Sequence, residues 1–451
     1  MTKIKTVFTC QKCGYQSPKW MGKCPNCNSW NSMVEEIKSP QHETFRHPEF
    51  SSTPKSINNI KSGEYERLDT GIMELNRVVG GGIVRGSITL ISGAPGIGKS
   101  TLLLQTASNI AKKYGRVLYV SGEESEEQIK MRADRLKALS DDLFIVSENN
   151  LDRIEKHIEK NKPTFVVIDS IQTLFKEGIS SAPGSVSQVR EVSNDIMRMG
   201  KERNISFFIV AHVTKQGELA GPRVLEHIVD TVLSFEGERT GEFRVLRTVK
   251  NRFGTTSEIG VFEMIEDGLR EIRNPSGVFL EERTSQKEGS VVIGIMEGRR
   301  PILVEIQALV SQTRAVIPRR TVVGIDTSRL NLILAVLEKK LKIPFYNCDV
   351  YVNVVGGLKL DGTFGDLGLA IALISSARAK EIVLDNFLAV GEIGLTGEVR
   401  PVSYCGRIVN EAEKMGFKNI ILPYRNKEKI NTNKINTIGI SSLKEVLNKV
   451  F

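Results

Sequence analysis

Gly93-Ala94-Pro95-Gly96-Ile97-Gly98-Lys99-Ser100 spells GxxxxGKS, the phosphate-binding loop of nucleotide hydrolases. Ile88-Thr89-Leu90-Ile91 precedes it as a β-branched run, and Leu102, Leu103, Ala107 and Ile110 follow at helical spacing. Strand, glycine loop and helix in that order are the context the motif requires, so the reading is a P-loop rather than a glycine-rich turn before an ordinary helix. Glycines let backbone N–H groups close around phosphate oxygens, and the helix N-terminus favours negative charge. The expected ATP-binding set is Gly93, Ala94, Pro95, Gly96, Ile97, Gly98, Lys99, Ser100 and Thr101. Lys99 is expected on the β/γ-phosphates and Ser100 on Mg²⁺.

Outward from the loop, apolar runs alternate with helical patterns. Strands are expected at Ile88–Ser92, Val117–Ser121, Phe165–Asp169, Ser206–Ala211 and Val229–Phe235, which predicts a mostly parallel sheet with helices on both faces. Phe243–Val249 and Val261–Ile265 read as antiparallel additions. Phe165-Val166-Val167-Ile168-Asp169 is a buried strand ending in a carboxylate, which suits Asp169 to Mg²⁺. Tyr119-Val120-Ser121-Gly122-Glu123-Glu124 sets two acids at a strand end. Glu123 is the expected water-orienting residue, Glu124 its understudy; the plain alternative is a pair of acids favoured by a helix dipole.

The first 27 residues hold four of the six cysteines. Cys10-x-x-Cys13 and Cys24-x-x-Cys27 are two knuckles with the spacing of a closed, structural Zn²⁺ site. Gly14, Gly22 and Asn26 suit the turns, with Trp20 and Trp30 as apolar supports. Cys348 and Cys405, in apolar surroundings, read as core thiols. The organisation expected is a zinc ribbon over 1–35, a Pro-punctuated linker over 36–60 and a P-loop ATPase over 61–274. Asn274-Pro275-Ser276-Gly277 serves as a hinge into a second α/β domain over 275–451, with strands at Ser290–Met296, Val350–Val354 and Leu388–Val390. The 451 residues carry a net charge of +9, which allows an acidic polymer as partner. No apolar run reaches the ~18 residues of a membrane span, and the N-terminus lacks a signal-peptide pattern. The expectation is a cytoplasmic protein with no membrane contact.

The strand order, Glu123 and Asp169 resemble the RecA-like core of recombinase and replicative-helicase ATPases. Lys250-Asn251-Arg252-Phe253-Gly254, the stretch His212-Val213-Thr214-Lys215-Gln216-Gly217-Glu218-Leu219-Ala220-Gly221-Pro222-Arg223 and the zinc ribbon narrow the likeness. Together they resemble the bacterial RadA/Sms DNA-repair family over essentially the whole chain. That resemblance implies an ATP-driven DNA motor of homologous recombination. It would be a homohexamer acting on single-stranded and branched DNA, with a strand-exchange recombinase as partner. It also implies Lys250 and Arg252 acting in trans on a neighbour's γ-phosphate, and His212 as a γ-phosphate sensor. A solvated hairpin turn and an ordinary strand-end histidine are the plain alternatives. Two loops, 177–189 and 215–223, are expected to face single-stranded DNA, with Lys215 and Arg223 on phosphates.

Gly391–Val402 and Gly356–Leu373 resemble the proteolytic domain of Lon proteases, which raises an ATP-dependent protease as rival. Alignment puts Phe364 where the nucleophilic serine belongs and Gly406 where the lysine belongs; Thr363 and Arg407 miss by one position. Phe cannot attack a carbonyl, and Arg stays charged. A Lon-protease-like scaffold without its dyad is therefore expected. A nucleotide-gated signalling ATPase is a second rival, but it leaves the ribbon unexplained. Arg299, Arg300, Arg314, Arg319, Arg320, Arg329, Lys339, Lys340 and Lys342 allow a duplex-phosphate patch, against the ordinary reading of solvated charge.

Overall fold

The structure is a computed structural model. It describes residues 5–10, 14–38, 56, 58, 65–179, 181–212, 224–237, 243–281, 287–356, 358, 360 and 362–451. Cys13, Lys215 and Arg223 lie outside the described residues, as do most of 36–60. Two compact units divide the chain. One is 1–236 with 245–256 and 264–271, the other 237–244, 257–263 and 272–451.

The ribbon is a three-stranded antiparallel sheet, with β1 (Lys5–Cys10) between β2 (Gln16–Ser17) and β3 (Met33–Lys38). Its two knuckles repeat one hydrogen-bond pattern. Cys10 N donates to Tyr15 O and Gly14 N to Cys10 O; Cys24 N donates to Ser29 O and Asn28 N to Cys24 O. The fifth residue of each turn is left-handed, Gly14 at φ 74° and Asn28 at φ 57°. Asn26 sits within the second turn, and Asn28 takes its left-handed end, in keeping with asparagine's tolerance of that conformation. Trp20 and Trp30 are not supports: both are exposed.

The ATPase sheet runs through β4 (Ile88–Gly93), β5 (Val117–Ser121), β6 (Leu143–Ser147), β7 (Phe165–Asp169), β8 (Ser206–His212), β9 (Thr231–Glu236), β10 (Phe243–Asn251), β11 (Ile259–Ile265) and β12 (Gly268–Glu271). Their spatial order is β12-β11-β10-β9-β4-β8-β7-β5-β6. The six strands from β9 to β6 are parallel, and β10 pairs antiparallel with β9. β6 was not expected from sequence. It is an edge strand with half-exposed residues, so it lacks the apolar run of its neighbours. β9 starts at Thr231 rather than Val229, because Asp230 is occupied in holding the Ile88 amide at 3.1 Å. Val189, Val192, Ile196 and Met199 of the helix Val186–Arg203 pack on Ile88, Val166, Ile168, Phe207 and Ile209, closing one face. That helix takes the last residues of the expected loop 177–189.

In the second unit the sheet order is β15-β16-β14-β13-β17-β18-β19. These are β13 (Ser290–Glu297), β14 (Arg300–Gln312), β15 (Arg320–Val323), β16 (Cys348–Val354), β17 (Phe387–Ala389), β18 (Asn419–Pro423) and β19 (Asn436–Ile440). The helix Asp366–Arg378 is buried almost throughout, and Cys405, Ile408, Val409 and Ala412 of the helix Cys405–Lys414 join Val292, Leu303 and Leu388 in a core. Asn274–Gly277 forms a helix start three residues beyond Glu271, where the last stretch of the second unit begins. The Asn274 side chain accepts from Gly277 N and Pro275 opens the helix Pro275–Leu280, a capped start in which proline's missing N–H costs nothing.

Candidate nucleotide and metal sites

Sheet register fixes the nucleotide edge. Gly93 lies opposite His212 and Ser121 opposite Asp169, and Ile168 lies opposite Ile209, so β4, β8, β7 and β5 end within about two residues of one another. There the chain turns into the helix Lys99–Tyr114, whose first turn has no side-chain cap. A Cβ on Gly93 would lie 2.6 Å from the Phe235 carbonyl oxygen, so only glycine allows that approach. Gly96, at φ 77°, faces open space where its Cβ would be.

Lys99 is 4% exposed. Its ammonium donates to Gly93 O at 2.8 Å and Ala94 O at 3.0 Å. Burial pushes its pKa down to about 8, against the pull of Asp169 and Glu123. A desolvated cation held on two carbonyls, beside an open glycine loop and uncapped amides, fits the phosphates of ATP. Ser100 sits in the same turn, and Asp169 at the end of β7 supplies the carboxylate that Mg²⁺ would need beside it.

Asp169 Oδ2 accepts from the Tyr119 hydroxyl at 2.7 Å. Burial, then the Asp169 charge, lifts that phenol well above its ordinary range, so it stays a donor. The Ser170 hydroxyl donates to Glu123 Oε1 at 2.7 Å. Gly122 makes this approach possible, since a Cβ there would overlap Thr173 Oγ1 at 1.9 Å. Glu124 turns away into an ion pair with Arg132, which removes it as understudy. Sequence reasoning missed Tyr119 and Ser170. The signal for Tyr119 was available: a hydroxyl inside a wholly buried strand needs a partner.

Lys250 and Arg252 sit at the other edge of the sheet. Lys250 is level with Val232, and Val232 with Leu90, three residues before Gly93, or about 10 Å of strand. The Lys250 ammonium points away from the P-loop, donating to the carbonyls of Glu226 (2.6 Å), His227 (3.3 Å) and Val229 (2.7 Å). Arg252 pairs with Asp230, whose carboxylate also takes the Ile88 amide and Lys201. Burial first, then the Arg252 charge, lowers the Lys250 pKa. The strand rise and the side-chain direction keep both cations from their own P-loop. His212 ends β8 opposite Gly93.

In the ribbon, Cys10, Cys24 and Cys27 bring their sulfurs within 4.8 Å of one another, with Cys10 Sγ to Cys27 Sγ at 3.6 Å. Thiolates on one tetrahedral Zn²⁺ at ~2.3 Å stand about 3.8 Å apart, so the cluster fits a structural zinc site.

In the second unit Phe364 packs against the core. Thr363 donates to Glu392 at 2.9 Å, and Arg407 donates to the Arg299 carbonyl at 2.9 Å, so the two near misses serve other partners. Arg329 binds the Asp366 carboxylate through two nitrogens, next to a residual cavity of about 20 Å³ lined by Phe364. The expected basic patch shrinks. Arg300 is buried against Ile272 O and Arg273 O, Arg320 is tied to Phe345 O and Cys348 O, and Arg329 to Asp366. Burial pushes the Cys405 thiol up to about 12 and raises that of Cys348, which suits inert core positions. No helix among the described residues is long and apolar enough to cross a membrane.

Three family descriptions match parts of the chain: Rubredoxin metal binding domain over 8–35, AAA domain over 54–218 and Subunit ChlI of Mg-chelatase over 318–426. Relatives match end to end. "DNA repair protein RadA" of Halalkalibacterium halodurans is 51% identical over 99% of both chains. The protein of that name from Bacillus subtilis is also 51% identical over 99% of both. Among solved structures, a KaiC-like protein, PH0186 of Pyrococcus horikoshii OT3, is 20% identical. It covers 46% of this chain and 100% of its own, with a TM-score of 0.39.

Proposed function

The chain belongs to the DNA repair protein RadA family, and from that premise we propose that it is an ATP-driven motor on DNA in homologous recombination. The P-loop ATPase works in a homohexameric ring with nucleotide at the subunit interfaces. Lys99 holds the β/γ-phosphates, Ser100 and Asp169 hold Mg²⁺, and Glu123 orients the attacking water. Tyr119 fixes the Asp169 carboxylate and Ser170 fixes Glu123. When bound, Mg²⁺ supplies charge neutralisation on the phosphates. The motor tracks single-stranded DNA through phosphate contacts, Lys215 and Arg223 among them, and extends branched intermediates beside a strand-exchange recombinase in the cytoplasm. Zn²⁺ on Cys10, Cys13, Cys24 and Cys27 holds the ribbon. No proteolysis is ascribed to the second unit.

The observation that carries the ring reading is the position of Lys250 and Arg252. Cations at the edge away from their own P-loop act on a nucleotide only when it belongs to a neighbour, as an arginine finger does. His212, at the nucleotide edge, is the γ-phosphate sensor.

Steady-state ATP hydrolysis with and without single-stranded DNA, at two salt concentrations, tests the motor. Stimulation that fades with salt is expected, since phosphate contacts release counterions. Absence of any response to DNA, with or without the recombinase, would sink the reading. In nucleotide-binding and strand-unwinding assays Lys250→Ala keeps nucleotide affinity and loses DNA unwinding; surviving unwinding would refute the trans role.

A further inference from the structure

The chain has two tryptophans, and both are in the ribbon. Trp20 is 57% exposed and Trp30 73%, well beyond what an indole shows in a core. Both six-membered rings converge on Gly22: a Cβ there would lie 3.6 Å from Trp20 Cη2 and 4.0 Å from Trp30 Cζ3. The rings are held in place. Trp20 Nε1 donates to the Met33 carbonyl at 3.2 Å, and Trp30 pairs with Lys23 in an antiparallel bridge. The Lys23 ammonium stands 5.8 Å from the centroid of the Trp30 ring.

The stretch that carries the indoles is one-sided in charge, with the acids Glu35 and Glu36 following it on β3. Residues 14–32 contain Lys19 and Lys23 and no Asp or Glu, and they contain no Val, Leu, Ile or Phe. Lys19, Lys23 and a third aromatic, Tyr15, are exposed. Exposed indoles, one with an ammonium beside its ring, in a stretch that holds two lysines and no carboxylate, match an anionic polymer that presents flat bases. Every unpaired base has a π-face to stack, and the lysines meet the phosphates between bases. Duplex DNA fits less well, because its bases are already stacked on one another.

We infer that Trp20 and Trp30 form a stacking platform for adjacent unpaired bases of single-stranded DNA, with Lys19 and Lys23 on the flanking phosphates. The inference rests on the DNA-motor reading and gives the ribbon a direct part in it. Zinc shapes the knuckles, and the knuckles set the spacing of the two indoles.

The test uses the full-length, zinc-loaded chain. With no other tryptophan present, indole emission reports the ribbon alone. Titration with a single-stranded oligothymidylate quenches that emission, and a duplex of equal length does not. Trp20→Ala and Trp30→Ala each weaken oligothymidylate binding about fivefold or more, and Trp20→Tyr and Trp30→Tyr recover most of the loss. Bound zinc in each variant separates a lost platform from an unfolded ribbon, and the Tyr variants carry the test if an Ala variant loses zinc. Unchanged emission while a labelled oligonucleotide binds by anisotropy overturns the platform and leaves the motor standing. Equal quenching by duplex overturns the assignment to unpaired bases. Emission that responds only to an added recombinase makes the face a protein dock and overturns the inference. Absence of DNA binding, together with ATP hydrolysis indifferent to DNA, removes the motor reading as well.

Discussion

Two strand-end environments, one in each unit, handle charge in opposite ways. At the end of β4 the ATPase unit buries the Lys99 ammonium on two backbone carbonyls, with open space over Gly96. At the start of the helix Asp366–Arg378 the second unit pairs what it buries. Arg329 clasps Asp366, Ile393 N donates to the same carboxylate at 3.1 Å, and Phe364 packs on the core beside them. A phosphate site leaves a desolvated cation waiting for an anion, whereas a scaffold site completes its own hydrogen bonds.

The largest effect expected from that contrast is on Lys99. Lys99→Ala should cut ATP turnover by about 10²–10³-fold, the usual loss when one donor to developing charge is removed. It should not destabilise either unit through a lost ion pair, because no salt bridge among the described residues includes Lys99. Steady-state hydrolysis and calorimetry check the two halves; unimpaired turnover would break the comparison.

Arg329→Ala should behave the other way round. It leaves the Asp366 carboxylate, 4% exposed, without its cation. Breaking such a pair costs roughly 3 kcal/mol, the low end of the usual range because Arg329 is itself partly exposed. Denaturant unfolding of the second unit reads the loss, and ATP binding is unaffected. Burial already raises the Asp366 pKa against the pull of Arg329. In the variant that pKa rises further. An acid with a folded pKa above its unfolded value keeps its proton only in the folded state, so the variant loses stability as pH rises through that window. A deficit that does not shrink toward acidic pH would contradict the account.

How much of this was legible depended on burial. Val117–Ser121 and Phe165–Asp169 are strands with the bounds expected of them, because an unbroken apolar run ending in Ser or Asp marks a fully buried parallel strand. β6 and β14 were not anticipated. The first is a half-exposed edge strand, and the second begins Arg300-Pro301, a start that reads as a loop. Asn274-Pro275 carries the signal of a helix start, a capping side chain before a proline at the first helical position. Trp20 and Trp30, expected as apolar supports, are exposed instead. A ribbon of some thirty residues has too little interior for two of them. The pairings of Tyr119 with Asp169 and Ser170 with Glu123 join residues about fifty positions apart, and only the sheet order brings them together.

The smallest effect comes from the buried cation itself. With its pKa near 8, Lys99 begins to lose its proton in the nucleotide-free chain as pH passes about 8. Bound phosphates favour the ammonium, so the complex holds that proton to higher pH. Affinity for a fluorescent ATP analogue should therefore fall as pH rises above about 8, by at most tenfold per pH unit, with proton uptake on binding in that range. Stability of the nucleotide-free chain should move the opposite way. A lysine with a folded pKa below its unfolded value binds fewer protons when folded, so this residue's contribution grows from about pH 8 toward the ordinary lysine value of about 10.4. Lys99→Ala removes both slopes, and Arg329→Ala removes neither. Nucleotide affinity that stays flat from pH 7.5 to 9.5, in buffers that span about the range of the lowered pKa, would mean that Lys99 is better solvated than its burial implies. The contrast between a waiting cation and a completed ion pair would then rest on shape alone.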